Sequence, residues 1–452
     1  MISEKSSRRE FIGKTLLAAL GAGSLALLFG TGSAGIGTET DPFVTASYVL
    51  TVSNGTITAT SHVGTLPFSG TDLLPIWNSI KTQLPNGGVV FLKTGTYPSS
   101  GKLLLDIAGI GIVGEQVATT IIQQNVGVSD DMIQITNDFC IVNNLALLGN
   151  AGSGTSGVGL RYTSGAFGKM EKLFIQNTNE AGLLVEANSI GTGFTVFRDI
   201  WVNSAGASVS GSFSIIVKGQ NYFFNNIISQ TPSFGNFGFS IDGASGCVFD
   251  GLLCPTGDEE SNIVIQATTI KTNLYTACNV LGIDGFSTAT AWNILGNNQL
   301  FVDCFASFTI RIAGSRNVIH DTTIDVASLT VTNGYLIVVG ALNNIINGGA
   351  VVGTVTNKVN AALNTKTRVR DLINFNPQGV AAIAVGASPF TYTNQDSVSE
   401  AVYVNGGTIT NLTKDGIVIF GAGVPDSTIW LEPGEAIVVT YTVAPVMNKD
   451  RK

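Results

Sequence analysis

The chain has 452 residues, of which 44% are hydrophobic and only 12% are charged. Soluble proteins usually carry roughly 25% charged residues, about twice this fraction. The net charge of −8 and the lack of a basic run after the N-terminus argue against a nucleic-acid partner. An anionic partner would need local cations or a bound metal to offset the repulsion. The 54 glycines and the many small polar residues favour stacked β-structure with frequent turns over long helices.

The N-terminal segment has the pattern of an export signal. Arg8 and Arg9 precede an apolar stretch of about 15 residues, and Ser7 to Ile12 resembles the twin-arginine motif. The stretch is too short and too rich in glycine for a membrane span. Residues 1–34 are therefore predicted to be a twin-arginine signal, which implies a prokaryotic protein that is secreted or held at the cell surface. The alternatives are the start of an ordinary amphipathic helix and a signal that is retained as an anchor.

A hairpin and a helix are predicted next. Residues 48–62 alternate apolar and polar side chains around Asn54-Gly55, so residues 35–70 are assigned to an N-terminal β-hairpin region. In the sequence TDLLPIWNSIKTQL, Asp72 can cap a helix and Pro75 can stand in its first turn. The sequence PNGGVVFLKTGTY, which follows, predicts a turn and a strand.

From about residue 103 onward the sequence repeats a unit of short apolar strands separated by polar turns. The unit recurs about every 25 residues, a ragged period that is typical of a β-solenoid. Each coil of a solenoid exposes its strand edges until the next coil stacks on it, about 4.8 Å away. One apolar position of the first strand is predicted to form a column through the core: Val185, Val217, Ile241, Ile265, Ile294, Ile312 and Val339.

The helix at residues 73–84, the strand GGVVFLKTGTY at residues 87–97 and the repeating coils together resemble the pectate-lyase-like family. The resemblance implies an all-β protein with a right-handed parallel β-helix over residues 71–376 and the helix as its N-terminal cap. The family includes lyases, polygalacturonase-type hydrolases, epimerases and noncatalytic spikes and adhesins. The fold alone therefore does not determine the activity.

The pattern changes after Asn376-Pro377. Longer alternating strands follow, separated by the turn sequences Asn405-Gly406-Gly407 and Pro433-Gly434. They predict a separate, small β-sandwich-like domain over residues 377–447, which would cover the exposed edge of the last coil. Residues 448–452 are assigned to a tail.

Two further columns are interpreted as structural. In most coils Asp or Asn follows the second short apolar strand, and these residue types tolerate the left-handed backbone of a corner. Cys254, Cys278 and Cys304 are about one coil apart and are predicted to stack as a buried ladder. Without a CxxC motif and with only two histidines, a Cys/His zinc site is not expected. The predicted corner residues are Asp199, Asn225, Asp250, Asp303, Asp321 and Asn347.

The candidate functional residues are Arg161, Glu186, Lys218, Asp242 and Gln266. Each is predicted to follow a core position of the first strand and to point outward, so that the five form a row along the solenoid. In pectate-lyase-like proteins that act on polysaccharides the sugar chain lies across this face. The resemblance therefore implies a polysaccharide or cell-surface glycan as the partner.

The predicted roles in this row are catalytic for Glu186, Lys218 and Asp242, and substrate-binding for Arg161 and Gln266. Glu186 and Asp242 would lie about 9–10 Å apart, near the separation of the acid and base in an inverting glycosidase. A calcium-assisted lyase would instead use the carboxylates for the metal and Lys218 or Arg161 as the base. The structural alternative is mutual charge pairing on a solvated sheet.

The chain also departs from the family's hydrolases, because a clear set of paired aspartates, Gly-His-Gly and Arg-x-Lys is not found. Asp130-Asp131 and His320 are interpreted as turn or packing residues. The acidic residues 258–260 are interpreted as a solvated loop, with calcium as the one cofactor left open. The favoured function is an exported protein that binds, or binds and cleaves, extracellular polysaccharide. The alternative is a noncatalytic structural or adhesive protein of the cell surface.

Overall fold

The structure is a computed structural model that describes residues 46–62, 67–151, 156–163, 166–186, 194–203, 205, 213–230, 237–254, 261–265, 273–280, 290–326, 331–362, 366–373, 380–396, 399–423 and 426–451. The predicted export signal lies outside these residues. The described part is a parallel β-helix followed by a small antiparallel β-domain. Within that part, no helix has the length and apolar character needed to cross a membrane.

The N-terminal end of the β-helix is formed by a hairpin and one helix. The hairpin turns at Asn54-Gly55, whose φ angles of 49° and 76° match the predicted turn. The first hairpin strand also pairs in parallel with the first strand of the solenoid, so the hairpin belongs to the same sheet. The elements are β1 (Tyr48–Ser53), β2 (Thr56–Ser61), β3 (Phe68–Gly70) and α1 (Leu73–Gln83).

The predicted capping helix is confirmed. The Asp72 side chain accepts a hydrogen bond from the Leu74 N–H at 2.9 Å, which satisfies one of the free donors of the first turn. Trp77 is buried on the inner face of α1, and its indole N–H donates to the Leu104 carbonyl at 3.1 Å. The helix therefore closes the core where no earlier coil covers it.

Every coil adds one strand to a first sheet, sheet B, and a pair of half-strands to a second sheet, sheet A. In five coils the two half-strands form one strand with a corner inside it. Sheet B contains β6 (Leu103–Leu105), β9 (Ile133–Ile135), β11 (Leu160–Tyr162), β13 (Leu183–Val185), β15 (Phe213–Val217), β17 (Phe237–Ile241), β19 (Ser261–Ile265), β22 (Thr290–Ile294), β25 (Thr309–Ile312), β28 (Val331–Ile337) and β31 (Val355–Ala361).

Sheet A contains, besides the hairpin strands, the strands and half-strands that follow each sheet B strand along the chain. They are β4 (Gly88–Leu92), β5 (Gly95–Ser99), β7 (Ile110–Gly114), β8 (Thr120–Gln124), β10 (Ile141–Leu148), β12 (Lys169–Gln176), β14 (Thr195–Asn203), β16 (Tyr222–Gln230), β18 (Val248–Cys254), β20 (Leu274–Thr276), β21 (Asn279–Val280), β23 (Leu300–Val302), β24 (Phe305–Ala306), β26 (Val318–His320), β27 (Thr323–Asp325), β29 (Ile345–Asn347), β30 (Ala350–Val352) and β32 (Arg368–Arg370).

The end domain consists of two four-stranded antiparallel sheets with a buried apolar core of their own. The strands are β33 (Val380–Ile383), β34 (Phe390–Thr393), β35 (Glu400–Asn405), β36 (Thr408–Lys414), β37 (Ile417–Phe420), β38 (Ser427–Leu431), β39 (Ala436–Val443) and β40 (Val446–Arg451). The sheet orders are β33-β40-β35-β38 and β34-β39-β36-β37. The last strand continues to Arg451, through residues that the sequence assigned to a tail.

The predicted core column is confirmed from Val185 to Ile312 by the parallel pairing of sheet B. Its next member is Ile337, which pairs with Ile312 and is buried, whereas Val339 is 85% exposed. The prediction slipped by two residues there, because strand alternation cannot distinguish positions that share the same face.

The core of sheet A is dominated by a stack of aromatic rings, one from each of five successive coils. Neighbouring ring centroids are 4.7 to 5.0 Å apart and the rings lie within 11° of parallel. Each such pair adds about 0.5–1.5 kcal/mol beyond the burial of its apolar area. The stack therefore adds to the backbone hydrogen bonds that set the spacing of the coils. Its members are Phe197, Phe224, Phe249, Tyr275 and Phe301.

Half of the predicted corner residues stand at the corner itself. Asp199, Asp303 and Asp321 have φ angles of 53°, 53° and 49°. In the other coils the left-handed residue is the following one, for example Gly251 with φ of 71°. Asp250 is instead a half-buried strand residue, whose carboxylate accepts hydrogen bonds from Asn225 and Thr276, both at 2.9 Å. The interpretation of Asp250 as a corner is therefore wrong, although its role is structural.

The cysteine ladder is only partly correct. Cys278 and Cys304 occupy equivalent positions on adjacent coils, but Cys254 pairs with Val280, two residues further along the strand. All five cysteines of the chain are buried and free. Burial raises the pKa of Cys140 and of Cys247 to about 11, so these thiols stay protonated at neutral pH.

Candidate functional site

The predicted row of charged residues exists in sheet B, with one correction of register. Glu186, Lys218 and Asp242 each follow the core column directly, and each N–H donates to the residue one coil earlier at 2.7 to 2.9 Å. Arg161 pairs with Leu184 and therefore lies two residues before the row. Gln266 lies outside the described residues. We call Glu186, Lys218 and Asp242 the sheet B row.

Arg161 reaches the row with its long side chain, although its backbone is out of register. Its guanidinium binds Asp131 at 2.6 Å and Glu186 at 2.9 Å, and Glu180 lies 3.9 Å away. Burial opposes the charge on Arg161, but the hydrogen bonds and charges of Asp131 and Glu186 outweigh it and raise the pKa of the guanidinium. Arg161 is thus a fixed cation held mainly by carboxylates.

Asp131 is the partner that the sequence interpretation missed. Its carboxylate is buried, binds Arg161 through both oxygens and also accepts the Val158 N–H at 3.0 Å. Asp131 stands one coil before Arg161, and a search for opposite charges at coil spacing would have found the pair. Asp130 and Asp131 lie in the connection before β9, and the feature that the turn interpretation left out is the ion pair of Asp131 with Arg161.

The row differs in charge pairing from one member to the next. Glu186 is shared between Arg161 and Lys218, whose Nζ lies 3.6 Å from the carboxylate. Among the described residues no ion pair involves Asp242, whereas Glu186 is engaged by two cations. Two coil spacings place Asp242 about 9–10 Å from Glu186. Such a row can bind hydroxyl groups at several points along a chain.

The other candidates do not form a site in the described residues. Within that part of the chain, no group of three or more His, Cys, Asp and Glu side chains could hold a metal ion. The acidic residues 258–260 lie outside it. The imidazole Nδ1 of His320 binds Asp321 at 2.8 Å on the exposed corner of sheet A.

The aromatic side chains divide sharply between core and surface. Tyr162, Tyr222, Phe239 and Trp292 are buried, so they are not available to stack against a sugar. Trp201 points away from the core of sheet A and is 44% exposed. Its indole is therefore a broad ring at the surface.

The similarities to known proteins are remote. No protein-family model and no curated protein matches the sequence. Among solved structures, the chain is similar to the Dettilon tailspike protein (11% identity, TM-score 0.49), covering 83% of this chain and 89% of that one. It is also similar to the A-module of a mannuronan C-5 epimerase of Azotobacter vinelandii (10% identity, TM-score 0.43), covering 66% of this chain and 88% of that one.

A third similar structure is the tailspike of Acinetobacter baumannii bacteriophage Fri1, a capsular polysaccharide depolymerase. The identity is 12%, the TM-score is 0.37, and 83% of this chain and 81% of that chain are covered. At such identities and TM-scores the activity of a neighbour does not carry over to this chain. Its function has to be inferred from its own side chains.

Proposed function

We propose that this protein is an exported, pectate-lyase-like β-helix protein that binds extracellular polysaccharide along the outward face of sheet B. The observation that carries the proposal is the sheet B row, in which ionisable side chains stand at equal positions of consecutive coils. A repeating polymer can contact equal positions of a repeating surface, so each coil supplies one contact. Rigid parallel strands hold these contacts in place before binding, which reduces the entropy cost of binding.

Cleavage of the polysaccharide would require Asp242 and Glu186 to act as acid and base, with Lys218 between them. The spacing of about 9–10 Å suits an inverting mechanism, in which a water molecule stands beside the base. The ion pairs of Glu186 with Arg161 and Lys218 favour the noncatalytic alternative, because they hold the carboxylate as a structural partner. Binding alone is therefore the first candidate, and a structural or adhesive surface protein is the second.

The test is a polysaccharide array with the chain that lacks residues 1–34, followed by affinity measurements on each hit. The variants Glu186→Gln, Lys218→Ala and Asp242→Asn should each weaken binding while the melting temperature stays near that of the parent. Release of new chain ends in the parent, with loss in Asp242→Asn, would establish cleavage. Parallel assays with calcium and with a chelator test the metal-assisted form.

The matched control is Asp321→Asn, which makes the same carboxylate-to-amide change on the other sheet. Its side chain is 45% exposed, and Asn is accepted at a left-handed corner. Binding by this variant should equal that of the parent. If a glycan is found and all three row variants bind it as the parent does, the sheet B row is not the site.

A further inference from the structure

The outward surface of strands β12 and β14 in sheet A carries a group of side chains that the proposed function does not use. Glu171 is almost completely buried, yet it lies on the outward side of the strand. Its two carboxylate oxygens bind Lys169 and Arg198, each at 2.7 Å. The cations remain 42% and 44% exposed. The buried carboxylate therefore holds two exposed cations in fixed positions, and Asp199 adds a second carboxylate 3.8 Å from Arg198.

The same two strands carry aromatic rings beyond the corner. Phe174 and Trp201 are outward neighbours on β12 and β14, and their rings meet edge to face with centroids 5.3 Å apart. This contact fixes the exposed indole of Trp201 as a rigid surface. The next outward residues are the amides Gln176 and Asn203. Cations, rings and amides thus follow one another along two adjacent strands.

A second exposed ring pair lies two residues before the starts of β10 and β12. Phe139 and Phe167 are 53% and 44% exposed, and their rings stack with centroids 5.2 Å apart. Both have left-handed backbone, with φ of 58° and 57°. A bulky residue in this region is a real outlier, and strain of this kind is often kept for a function. In later coils Asn221 and Asn298 take the equivalent left-handed positions, with φ of 63° and 57°.

We propose that this surface, from Phe167 through the Glu171 cluster to Trp201, is a second polysaccharide-binding site and that its ligand is an anionic sugar chain. Charge complementarity supports the anionic class, since the chain carries a net charge of −8 while this surface presents Lys169 and Arg198 around Glu171, with Asp199 3.8 Å from Arg198. Lys172, exposed at the corner of β12, adds a third cation. Exposed rings supply stacking surfaces for sugar rings, and planar Arg198 suits an anionic group.

The inference rests on the proposed function only for the general class of ligand, a polysaccharide. The residues belong to sheet A, whereas the sheet B row lies on the other sheet. A result that rules out binding at one sheet therefore does not affect the proposal for the other sheet. The probes are dextran and carboxymethyl-dextran, which share a backbone and differ in the anionic carboxymethyl groups of the second.

The parent should bind carboxymethyl-dextran at least about 10-fold more tightly than dextran in isothermal titration calorimetry at low salt. Trp201→Ala and Arg198→Gln should each lower that affinity about 10-fold or more. Trp201→Ala should leave the melting temperature nearly unchanged, whereas Arg198→Gln should lower it because buried Glu171 loses one of its two cations. Arg198→Gln should also reduce the dependence of the affinity on salt concentration. The matched control is Trp430→Ala in the end domain, because this Trp is 52% exposed and lies outside the surface. Trp430→Ala should bind as the parent does.

Phe167→Asn separates a binding role from a structural one. Asn accepts the left-handed backbone better than Phe, so this variant should be at least as stable as the parent. Its affinity for carboxymethyl-dextran should nevertheless fall several-fold. Equal binding of both polymers, no binding of the anionic one, or unchanged affinity in Trp201→Ala would each overturn the proposal. If Lys218→Ala lost affinity for carboxymethyl-dextran and Trp201→Ala kept it, the binding site would lie on sheet B instead.

Discussion

The two sheets of the solenoid carry inverse charge networks on their outward faces. On sheet B one cation, Arg161, is held by the carboxylates of Asp131 and Glu186, with Glu180 nearby. On sheet A one carboxylate, Glu171, is held between Lys169 and Arg198. The first arrangement satisfies its central charge with the protein's own groups, whereas the second leaves cationic groups exposed. On sheet A the exposed partners of the central charge are therefore cations, whereas on sheet B Glu180 and Glu186 are partly exposed, as is Lys218.

The largest loss of stability is expected when Arg161, the central charge of the sheet B network, loses its partner Asp131. Asp131→Ala removes both hydrogen bonds to half-buried Arg161 and the acceptor for the Val158 N–H. The free energy of unfolding should fall by about 2–3 kcal/mol, as measured by urea denaturation. The neighbouring change Asp130→Ala is the control, because that side chain is 47% exposed and lies 3.6 Å from Lys102. A loss below 1 kcal/mol for Asp131→Ala would contradict the central role of this pair.

A smaller effect is expected at the centre of the sheet A network. Glu171→Gln keeps the shape of the side chain but removes the charge between Lys169 and Arg198. The free energy of unfolding should fall by about 1–2 kcal/mol, with the larger loss at low salt because the two cations then repel each other. Glu186→Gln, with a side chain 31% exposed, should cost less than about 1 kcal/mol. Equal losses in the two variants would show that burial of the central charge is not decisive.

The end domain offers a third case, a carboxylate that is fully buried. Glu400 binds Lys449 at 2.9 Å and accepts from the Tyr392 hydroxyl at 2.6 Å. Burial raises the pKa of Glu400 above its usual 4.5 despite these partners. A raised pKa means that the folded protein binds the proton more tightly, so the contribution to stability is complete below about 4.5 and is lost as pH rises through the folded value.

Glu400→Gln should therefore remove one pH-dependent contribution to the free energy of unfolding. The stabilising effect of Glu400 relative to Gln is measured as the melting temperature of the parent minus that of the variant. This difference should decrease as pH rises from about 4 to 7. Thermal melts across this range, with Glu435→Gln in the same domain as the comparison variant, provide the measurement. The pKa of Glu435 is lowered by Lys414 and by the Glu432 N–H, in spite of partial burial, so its replacement should change the curve in the opposite direction. Parallel curves for the parent and the Glu400 variant would contradict the raised pKa.

The smallest effect is expected at the exposed end of the sheet B network. Lys218 is 45% exposed and its Nζ is 3.6 Å from Glu186. Lys218→Ala should change the free energy of unfolding by less than about 1 kcal/mol, and the change should vanish in high salt. Urea denaturation at two salt concentrations is sufficient. A salt-independent loss above 1 kcal/mol would mean that the lysine stem, rather than its charge, stabilises the sheet.

Much of the fold could be predicted because its signals are local and repeated. Asp72 and Pro75 mark the capping helix, Asn54-Gly55 marks the hairpin, and the column from Val185 to Ile312 marks the coils. The errors are shifts of one or two residues, as at Asp250, Cys254 and Val339. Such shifts arise because the loops between strands vary in length, and an alternating pattern does not fix how far one strand slides along the next.

The candidate site was predicted less well than the fold. The sequence placed Glu186, Lys218 and Asp242 in one row, since each directly follows a core residue. It could not show that Asp131 binds Arg161, because the two are separated by a whole coil and meet only when the coils stack. Glu171 was missed for a related reason. Its two cations come partly from its own strand and partly from the next one.

The sequence by itself determined the class of fold, because short apolar strands that recur every coil can bury their faces and edges only by stacking. The tertiary structure decided which polar residues are available to a ligand. Identical residue types, such as the tryptophans at 201 and 292, become a surface ring or a core residue according to the direction in which their strand position points. That direction is set by the register between coils, which is a property of the packed solenoid and not of any single coil.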